Sequence, residues 1–287
     1  MTIQKSIRTH SSRKINILGS WIPNTILLLF SITCIYPVFW LAYSSLKTKS
    51  EFYQDPIGLP ASMNFGNITY VFEKSKLLTW LWNSFFNSFV ALFFILLIGF
   101  VLGYFLSRFK FKTRNVIYVY LLFGIVVPIH ALMIPIYIVF QRIGLTDHWF
   151  TLVLPYTAFG LPLAVFLIES YVSSVPREME EAAAIDGSSF SRTLFKIILP
   201  MCMPILFAVG IIQFFWCWNE FAFSLILISD QNLVTVPVGM TLFKGQFVTD
   251  YPKMISITLL SLLPVMVLYF SFSKQIINGM VTGAVKG

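Results

Sequence analysis

Six long apolar runs, each free of charged residues, constrain this chain more than any other feature of its sequence. They cover residues 15–46, 77–107, 115–141, 148–168, 197–219 and 254–273. A helix needs about 20 predominantly apolar residues to cross the hydrocarbon core of a bilayer, and every run reaches that length. The runs are continuous rather than alternating, which indicates helices and not the strands of a membrane barrel. The sequence therefore predicts an all-α integral membrane protein with six transmembrane helices.

The composition and charge exclude other classes of protein. Only 11% of the 287 residues are charged and 57% are hydrophobic, whereas soluble domains are about one quarter charged. The formal net charge of +8 is spread over short segments between the runs, without the dense basic cluster that nucleic-acid binding requires. We expect a single transmembrane domain over residues 1–287, in a multi-pass protein of the cell membrane that binds no nucleic acid.

The positions of lysine and arginine predict the orientation of the helices. Thirteen of the 20 basic residues lie before the first run, between the second and third, between the fourth and fifth, or after the sixth. Because cytoplasmic segments are enriched in basic residues, both termini are predicted to be cytoplasmic. The cytoplasmic segments are then 1–20, 173–200 and 275–287, and the extracellular loops include 47–77 and 229–252.

Two patterns inside the runs bear on helix geometry. Prolines, each of which favours a kink, interrupt the last four runs at Pro128, Pro135, Pro155, Pro162, Pro204 and Pro264. Gly99 and Gly103 form a Gly-x-x-x-Gly pattern, which allows a neighbouring helix to approach closely. The pattern indicates a contact but does not identify the partner helix.

The sequence carries none of the motifs of common membrane or soluble enzymes. It has no phosphate-binding loop, no His-Glu-x-x-His and no Gly-x-Ser-x-Gly, and its three cysteines have no paired spacing. We therefore expect no catalytic residue, no metal site and no cofactor bound by this chain, which argues against an intramembrane enzyme. Glu220 is the single acid expected within the membrane, near its outer surface, whereas a self-powered carrier needs ionisable groups near the midplane.

The segment between the fourth and fifth runs has an unusual arrangement of residues. Three glutamates within residues 178–181 suit the positive N-terminal end of a helix, and the alanines at 182–184 favour helix and leave a slim surface. Gly187 can take the left-handed conformation that ends a helix. A second short helix is expected to follow and to stop at Pro200, before the membrane.

This segment resembles the cytoplasmic signature of the permeases of ATP-binding-cassette importers. The signature is Glu-Ala-Ala, then glycine after three further positions, then Ile-x-Leu-Pro after nine more. It matches at Glu181, Ala182, Ala183, Gly187, Ile197, Leu199 and Pro200. Residues 128–146, 218–221 and 278–287 are also similar to the smaller, six-helix permease of maltose-type carbohydrate importers.

The resemblance implies a type I importer permease fold and a set of partner chains. In such importers a second permease forms the other half of the path, and two cytoplasmic ATPase subunits use ATP and Mg²⁺. An extracytoplasmic sugar-binding protein delivers the substrate, by default an oligosaccharide in this branch. The chain itself is then a non-catalytic subunit. The alternatives are a self-contained secondary carrier or channel, and a permease of the same class for a non-sugar solute.

The resemblance and the residue types together give three groups of candidate site residues. The ATPase-coupling residues are Glu181, Ala182, Ala183, Asp186, Gly187, Ile197, Leu199 and Pro200. The residues of an ATPase-contacting tail are Gly283, Lys286 and Gly287. Polar and aromatic residues at the outer helix ends suit a sugar path, and they are Asn83, Asn87, Trp216, Asn219 and Glu220. The outer segment 243–251 resembles the part of such permeases that reaches into the binding protein.

Overall fold

A computed structural model of the protein describes residues 17–243 and 249–284, which form helices joined by short connections. Along the first half of the chain the helices are α1 (Ile17–Ser44), α2 (Lys49–Gln54), α3 (Gly66–Lys74), α4 (Leu77–Arg108), α5 (Arg114–Val126), α6 (Ile129–Arg142) and α7 (Val153–Ser173). Along the second half they are α8 (Glu178–Ile185), α9 (Phe190–Thr193), α10 (Leu199–Met201), α11 (Met203–Asn219), α12 (Ala222–Leu227), α13 (Val236–Thr241) and α14 (Tyr251–Ala284). A π-helical turn, Leu194–Ile198, connects α9 to α10. The predicted all-α class is confirmed.

The described residues offer up to six membrane crossings. Four single helices, α1, α4, α7 and α14, contain a stretch that is long and apolar enough to cross a bilayer. Two bent pairs also qualify: α5 with α6, bent by 102°, and the segment Phe190–Met201 with α11, bent by 71°. With each pair counted as one crossing, the described part of the chain contains the six crossings expected from the apolar runs.

The third crossing is not the continuous helix that its apolar run suggested. Helix α5 ends at Val126, and Val127 takes an extended conformation with φ −65° and ψ 118°. The cause is Pro128, since a proline ring disfavours the helical conformation in the preceding residue and supplies no N–H to the helix. The chain therefore turns through a right angle at a position where a simple kink was expected.

The fifth crossing also differs from expectation, because Pro200 does not stop the helix before it. The π-helical turn precedes Pro200, and this wider turn leaves room for the proline ring beside the carbonyl groups of the previous turn. The break lies instead at Cys202, where ψ is −2°, and α11 begins directly afterwards with Pro204 in its first turn. A first-turn proline is tolerated because the N–H that it lacks has no partner there.

Helices α4 and α7 form the closest pair in the bundle, and the Gly-x-x-x-Gly pattern lies at their contact. A Cβ atom built on Gly99 would be 3.2 Å from the Ala164 Cβ atom, and one built on Gly103 would be 2.9 Å from the Ile168 Cγ2 atom. Ala164 and Ile168 are fully buried. The structure thus identifies α7 as the helix that packs closely against the two glycines.

Helix α1 lies on the outside of the bundle. Every described residue from Pro23 to Phe39 is exposed, and the principal contact of α1 within the described chain is with α14. The apolar surface of α1 is therefore covered by lipid or by another protein rather than by the rest of this chain, because water cannot solvate such a surface.

The segments at the Leu77 end of α4 are built on specific hydrogen bonds. Residues 47–77 contain α2 and α3, and the buried Lys47 donates through Nζ to the Asp55 carbonyl oxygen at 2.7 Å. Thr48 and Glu51 form a reciprocal capping box at the start of α2. Trp80 of α4 donates through Nε1 to the Gln231 carbonyl oxygen at 2.9 Å. These bonds connect α2 with the residue before it and α4 with the loop before α13.

Candidate functional site

The signature segment forms a short helix at the Arg108 end of α4, and glycine ends that helix as predicted. Gly187 has φ +75°, in the left-handed region that glycine adopts without strain. The Ser188 N–H donates to the Ala183 carbonyl oxygen at 2.9 Å and the Gly187 N–H to that of Ala184 at 3.0 Å. A Cβ atom on Gly187 would meet nothing within 4 Å. The requirement for glycine in this chain is therefore conformational rather than steric.

Helix α8 has one face against the protein and one face free. Ala183 is buried and Glu180 is half-buried, whereas Glu181, Ala182 and Asp186 are exposed. Ile185, which follows Ala182 by three positions and Glu181 by four, shares the free face and is 86% exposed. The sequence prediction missed Ile185, although its helical spacing from the signature residues could have identified it. The free face thus combines a carboxylate, a small residue and a large apolar residue.

The remaining predicted coupling residues lie mainly in the packing beneath α8. Ile197 and Leu199 are half-buried against the core, whereas Pro200 is exposed. The Phe195 ring of the π-helical turn lies 6.5 Å from the Phe100 ring of α4. The structure therefore divides the predicted set into an exposed group, which includes Glu181, Ala182 and Asp186, and a group packed into the protein, which is Ala183, Ile197 and Leu199.

Two ion pairs at this end of the bundle involve Arg108, the last residue of α4, and Arg114, the first residue of α5. Glu180 pairs with Arg108 at 2.6 Å, and Glu169 pairs with Arg114 at 3.0 Å. Tyr104 also donates its hydroxyl proton to Glu180 Oε2, at 2.7 Å. The sequence prediction did not identify these partners. The excess of acids in one segment and of bases in the other was the available signal, because oppositely charged segments on one side of a membrane tend to pair.

The predicted path residues fall into two groups at the other end of the bundle. On α4, Asn83 donates through Nδ2 to the Asn232 and Val234 carbonyl oxygens at 2.8 and 3.0 Å, and Asn87 donates to the Asn83 carbonyl oxygen at 2.9 Å. Asn87 Oδ1 is buried and has no hydrogen-bond partner in the described part of the chain. Asn83 thus serves at least to hold the loop before α13.

The second group lies at the end of α11, where Trp216 and Glu220 contact Tyr156 of α7. The Trp216 ring lies 5.8 Å from the Tyr156 ring, and Trp216 lines a cavity of about 180 Å³ beside the break between α5 and α6. Glu220 is buried, accepts from the Phe223 N–H at 2.8 Å and from the Tyr156 hydroxyl at 3.1 Å, and thereby caps α12. Asn219 is exposed and donates to the Phe215 carbonyl oxygen of its own helix. Of this group, Trp216 faces the cavity and Asn219 faces the outside of the described bundle.

The tail residues and part of one outer segment lie outside the described residues. Lys286 and Gly287 are not described, and for Gly283 the structure describes only its place in the backbone of α14. Residues 244–248 of the segment 243–251 are not described either. In the described part of the chain, no group of three or more His, Cys, Asp or Glu residues is placed to hold a metal ion.

Comparisons with known proteins agree with the architecture. Residues 95–277 match the family described as the binding-protein-dependent transport system inner membrane component. A putative ABC transporter permease protein, ORF2 of Caldicellulosiruptor sp., is 36% identical over 88% of this chain and 91% of its own length. The arabinooligosaccharides transport system permease protein AraQ of Bacillus subtilis is 30% identical over 91% of this chain and 93% of its own.

A solved structure has the same fold. It is a bacterial ABC transporter involved in the import of the acidic polysaccharide alginate, and it covers 95% of this chain and 99% of its own with a TM-score of 0.77 and 21% identity. The matched region of the family includes α8, the ion pair of Glu180 and the bent fifth crossing. The expected type I importer permease fold is thereby confirmed.

Proposed function

The chain belongs to the family of binding-protein-dependent transport system inner membrane components, and we propose that it forms half of the path of an ATP-driven sugar importer. The observation that carries the proposal is the helix α8, which presents Glu181, Ala182 and Ile185 on a free face and ends on a left-handed glycine. A helix presented in this way is suited to docking by another protein. An oligosaccharide is the proposed cargo, in keeping with the relative that transports arabino-oligosaccharides.

The proposed source of energy is a pair of cytoplasmic ATPase subunits that dock on α8 and on the equivalent helix of a second permease. Those subunits bind ATP and Mg²⁺, since the sequence of this chain contains no phosphate-binding loop. We assign the α8 end of the bundle and both termini to the cytoplasm, because 13 of the 20 basic residues lie on that side. The tail at Gly283, Lys286 and Gly287 is proposed to contact the same subunits.

The opposite end of the bundle is proposed to receive the sugar from an extracytoplasmic binding protein. The ordered segment 47–77 and the loop 229–252 are the surfaces available there. Asn87 has a buried oxygen without a hydrogen-bond partner in the described residues, and Trp216 faces a cavity; a sugar needs both hydrogen-bonding groups and aromatic faces. The second permease is proposed to complete the path.

Charge and backbone changes on α8 test the docking proposal. The full complex is purified through a tag on this chain, and uptake is measured in cells that carry Glu181→Lys, Gly187→Val or the control Glu73→Lys. Glu73 is an exposed acid on α3, at the other end of the molecule. A left-handed conformation costs an L-residue about 1–2 kcal/mol, so Gly187→Val should disturb the end of α8 while the transmembrane helices stay folded.

We expect both α8 variants to lose uptake and most of the co-purified ATPase, with unchanged amounts of permease in the membrane. The control should keep the wild-type amounts of co-purified ATPase and of permease in the membrane, because it makes the same change of charge away from α8. A full complement of ATPase together with normal uptake in both α8 variants would contradict the proposal. Uptake of arabino-oligosaccharides against single sugars, measured in the same cells, tests the cargo class.

A further inference from the structure

The half-buried carboxylate of Glu180 joins helix α8 to helix α4. Its Oε1 atom accepts from Arg108 Nε at 2.6 Å, and its Oε2 atom accepts from the Tyr104 hydroxyl at 2.7 Å. The Arg108 side chain is 6% exposed and that of Glu180 is 20% exposed. Both oxygens are therefore engaged by donors from one helix, in a site with little water to screen the charges.

The end of α4 also holds the connection on either side of α8. Arg108 donates through Nη2 to the Val175 carbonyl oxygen at 2.7 Å, between α7 and α8. After α8, the Phe190 ring of α9 lies 6.0 Å from the Tyr104 ring and 6.2 Å from that of Phe109. The whole segment that carries the docking face is thus attached to the last turns of α4.

The other end of α4 is attached to the loop before α13. Trp80 donates to the Gln231 carbonyl oxygen at 2.9 Å, Asn83 donates to the Asn232 and Val234 carbonyl oxygens, and the Ser84 hydroxyl oxygen accepts from the Val236 N–H at 2.9 Å. The Trp80 ring also lies against Gly239, where a Cβ atom would come within 2.3 Å of it. One face of α4 therefore fixes this loop through several bonds.

Helix α4 is unbroken between these two attachments. It runs over 32 residues, about 48 Å at 1.5 Å per residue, whereas the third and fifth crossings are bent by 102° and 71°. A straight hydrogen-bonded helix carries a displacement of one end to the other, whereas a sharp break allows the two parts to move separately.

We propose that Glu180, Arg108 and Tyr104 form a positioning junction through which α4 transmits movement of α8 to the loop before α13, residues 228–235. The proposal rests on the proposed function, since it takes α8 as the helix moved by the ATPase subunits. It assigns a role to three residues outside the predicted coupling set. Glu180 faces the protein core and is distinct from Glu181, which lies on the free face of the same helix.

Neutralising Glu180 in the assembled complex tests the junction. Glu180→Gln keeps the shape of the side chain and removes its charge. The matched control is Glu169→Gln, because Glu169 forms an ion pair at the same end of the bundle, with Arg114 at 3.0 Å, and does not lie on the docking face of α8. The readouts are co-purified ATPase, its basal hydrolysis of ATP, and the stimulation of hydrolysis and uptake by the loaded binding protein.

We expect Glu180→Gln to retain the ATPase and its basal rate but to lose stimulation and uptake by about tenfold, within the usual range of coupling between distant sites. Glu169→Gln should keep wild-type stimulation. The double variant Arg108→Glu with Glu180→Arg, which reverses the ion pair, should restore part of the stimulation. Tyr104→Phe should give an intermediate loss of stimulation. Wild-type stimulation in Glu180→Gln, or loss of the ATPase from that variant, would overturn the proposal.

A labelling experiment follows the loop directly. With the three native cysteines replaced by serine, Gln231→Cys places an exposed thiol on the loop, and its rate of alkylation should change when ATP is added to the complex. The same addition should leave the rate unchanged in Glu180→Gln, and an equal change in both would overturn the junction. Failure of the wild-type complex to contain any ATPase would instead refute the proposed function.

Discussion

Replacing Gly103 by alanine should force α4 and α7 apart. A Cβ atom at this position would lie 2.9 Å from the Ile168 Cγ2 atom, and 3.1 Å from both the Ile168 Cβ atom and the Glu169 backbone nitrogen. None of these atoms can move aside easily, because the χ1 angle of a β-branched residue is nearly fixed in a helix and the nitrogen belongs to the backbone. The new methyl group can be accommodated only by a shift of the helices.

The magnitude follows from two opposing terms. Overpacking a close contact costs about 1–3 kcal/mol, whereas alanine is favoured over glycine by about 1 kcal/mol inside a helix. We therefore expect Gly103→Ala to lower the free energy of unfolding by about 1 kcal/mol, which is roughly a fivefold change in the ratio of folded to unfolded protein. Gly99→Ala should be close to neutral, because its nearest contact, the Ala164 Cβ atom, is at 3.2 Å.

Gly210 supplies the matched control within the same bundle. A Cβ atom there would meet only the Leu96 Cδ1 atom at 3.6 Å, an ordinary contact, so Gly210→Ala should gain the helix-propensity term alone. Thermal midpoints of the three purified variants can be measured by size-exclusion chromatography after heating in detergent. The expected order is Gly103→Ala below the wild type, Gly99→Ala near it and Gly210→Ala above it. A Gly103→Ala midpoint equal to that of Gly210→Ala would refute the steric argument.

Two further predictions concern single polar groups. Asn87→Leu should keep or raise the thermal midpoint, because it removes a buried oxygen without a partner in the described residues. The same variant should lower sugar uptake, and unchanged uptake would contradict a path role for Asn87. In the turn after α2, N–H groups of Gly58 and Ile57 donate to Asp55 and lower the pKa of its carboxyl group. That contribution is present at neutral pH and is lost as the pH falls through the lowered pKa of Asp55, so the protection of the Gly58 amide proton, relative to its intrinsic exchange rate, should fall there in the wild type but not in Asp55→Asn.

Much of the fold and part of the candidate site could be predicted from local signals in the sequence. The apolar runs specified the crossings because burial in lipid depends on composition and length alone. The role of Gly187 in ending α8 could be predicted because glycine itself favours the left-handed conformation found at helix ends. The glutamates of residues 178–181 followed by the alanines of 182–184 predicted α8, which the structure places at Glu178–Ile185.

What could not be predicted depends on contacts between distant residues. Pro128 signalled a disturbance of the third crossing, but the 102° bend is set by how α5 and α6 pack after the break. The opposite charges of two segments indicated that they meet, but only the structure pairs Glu180 with Arg108 across 72 positions. Asn83 was expected to face a path, and its hydrogen bonds to the loop before α13 could not be inferred from the spacing of α4.

The placement of α1 has a consequence for the order in which the protein is made. Its principal contact is with α14, so α1, which is made before α14, has to wait in the lipid until α14 has been inserted. A truncation before Tyr251 therefore removes α14 and, with it, the principal packing contact of α1. Helices α1 and α14 therefore meet late, and the described bundle stays open on that side until α14 has been made.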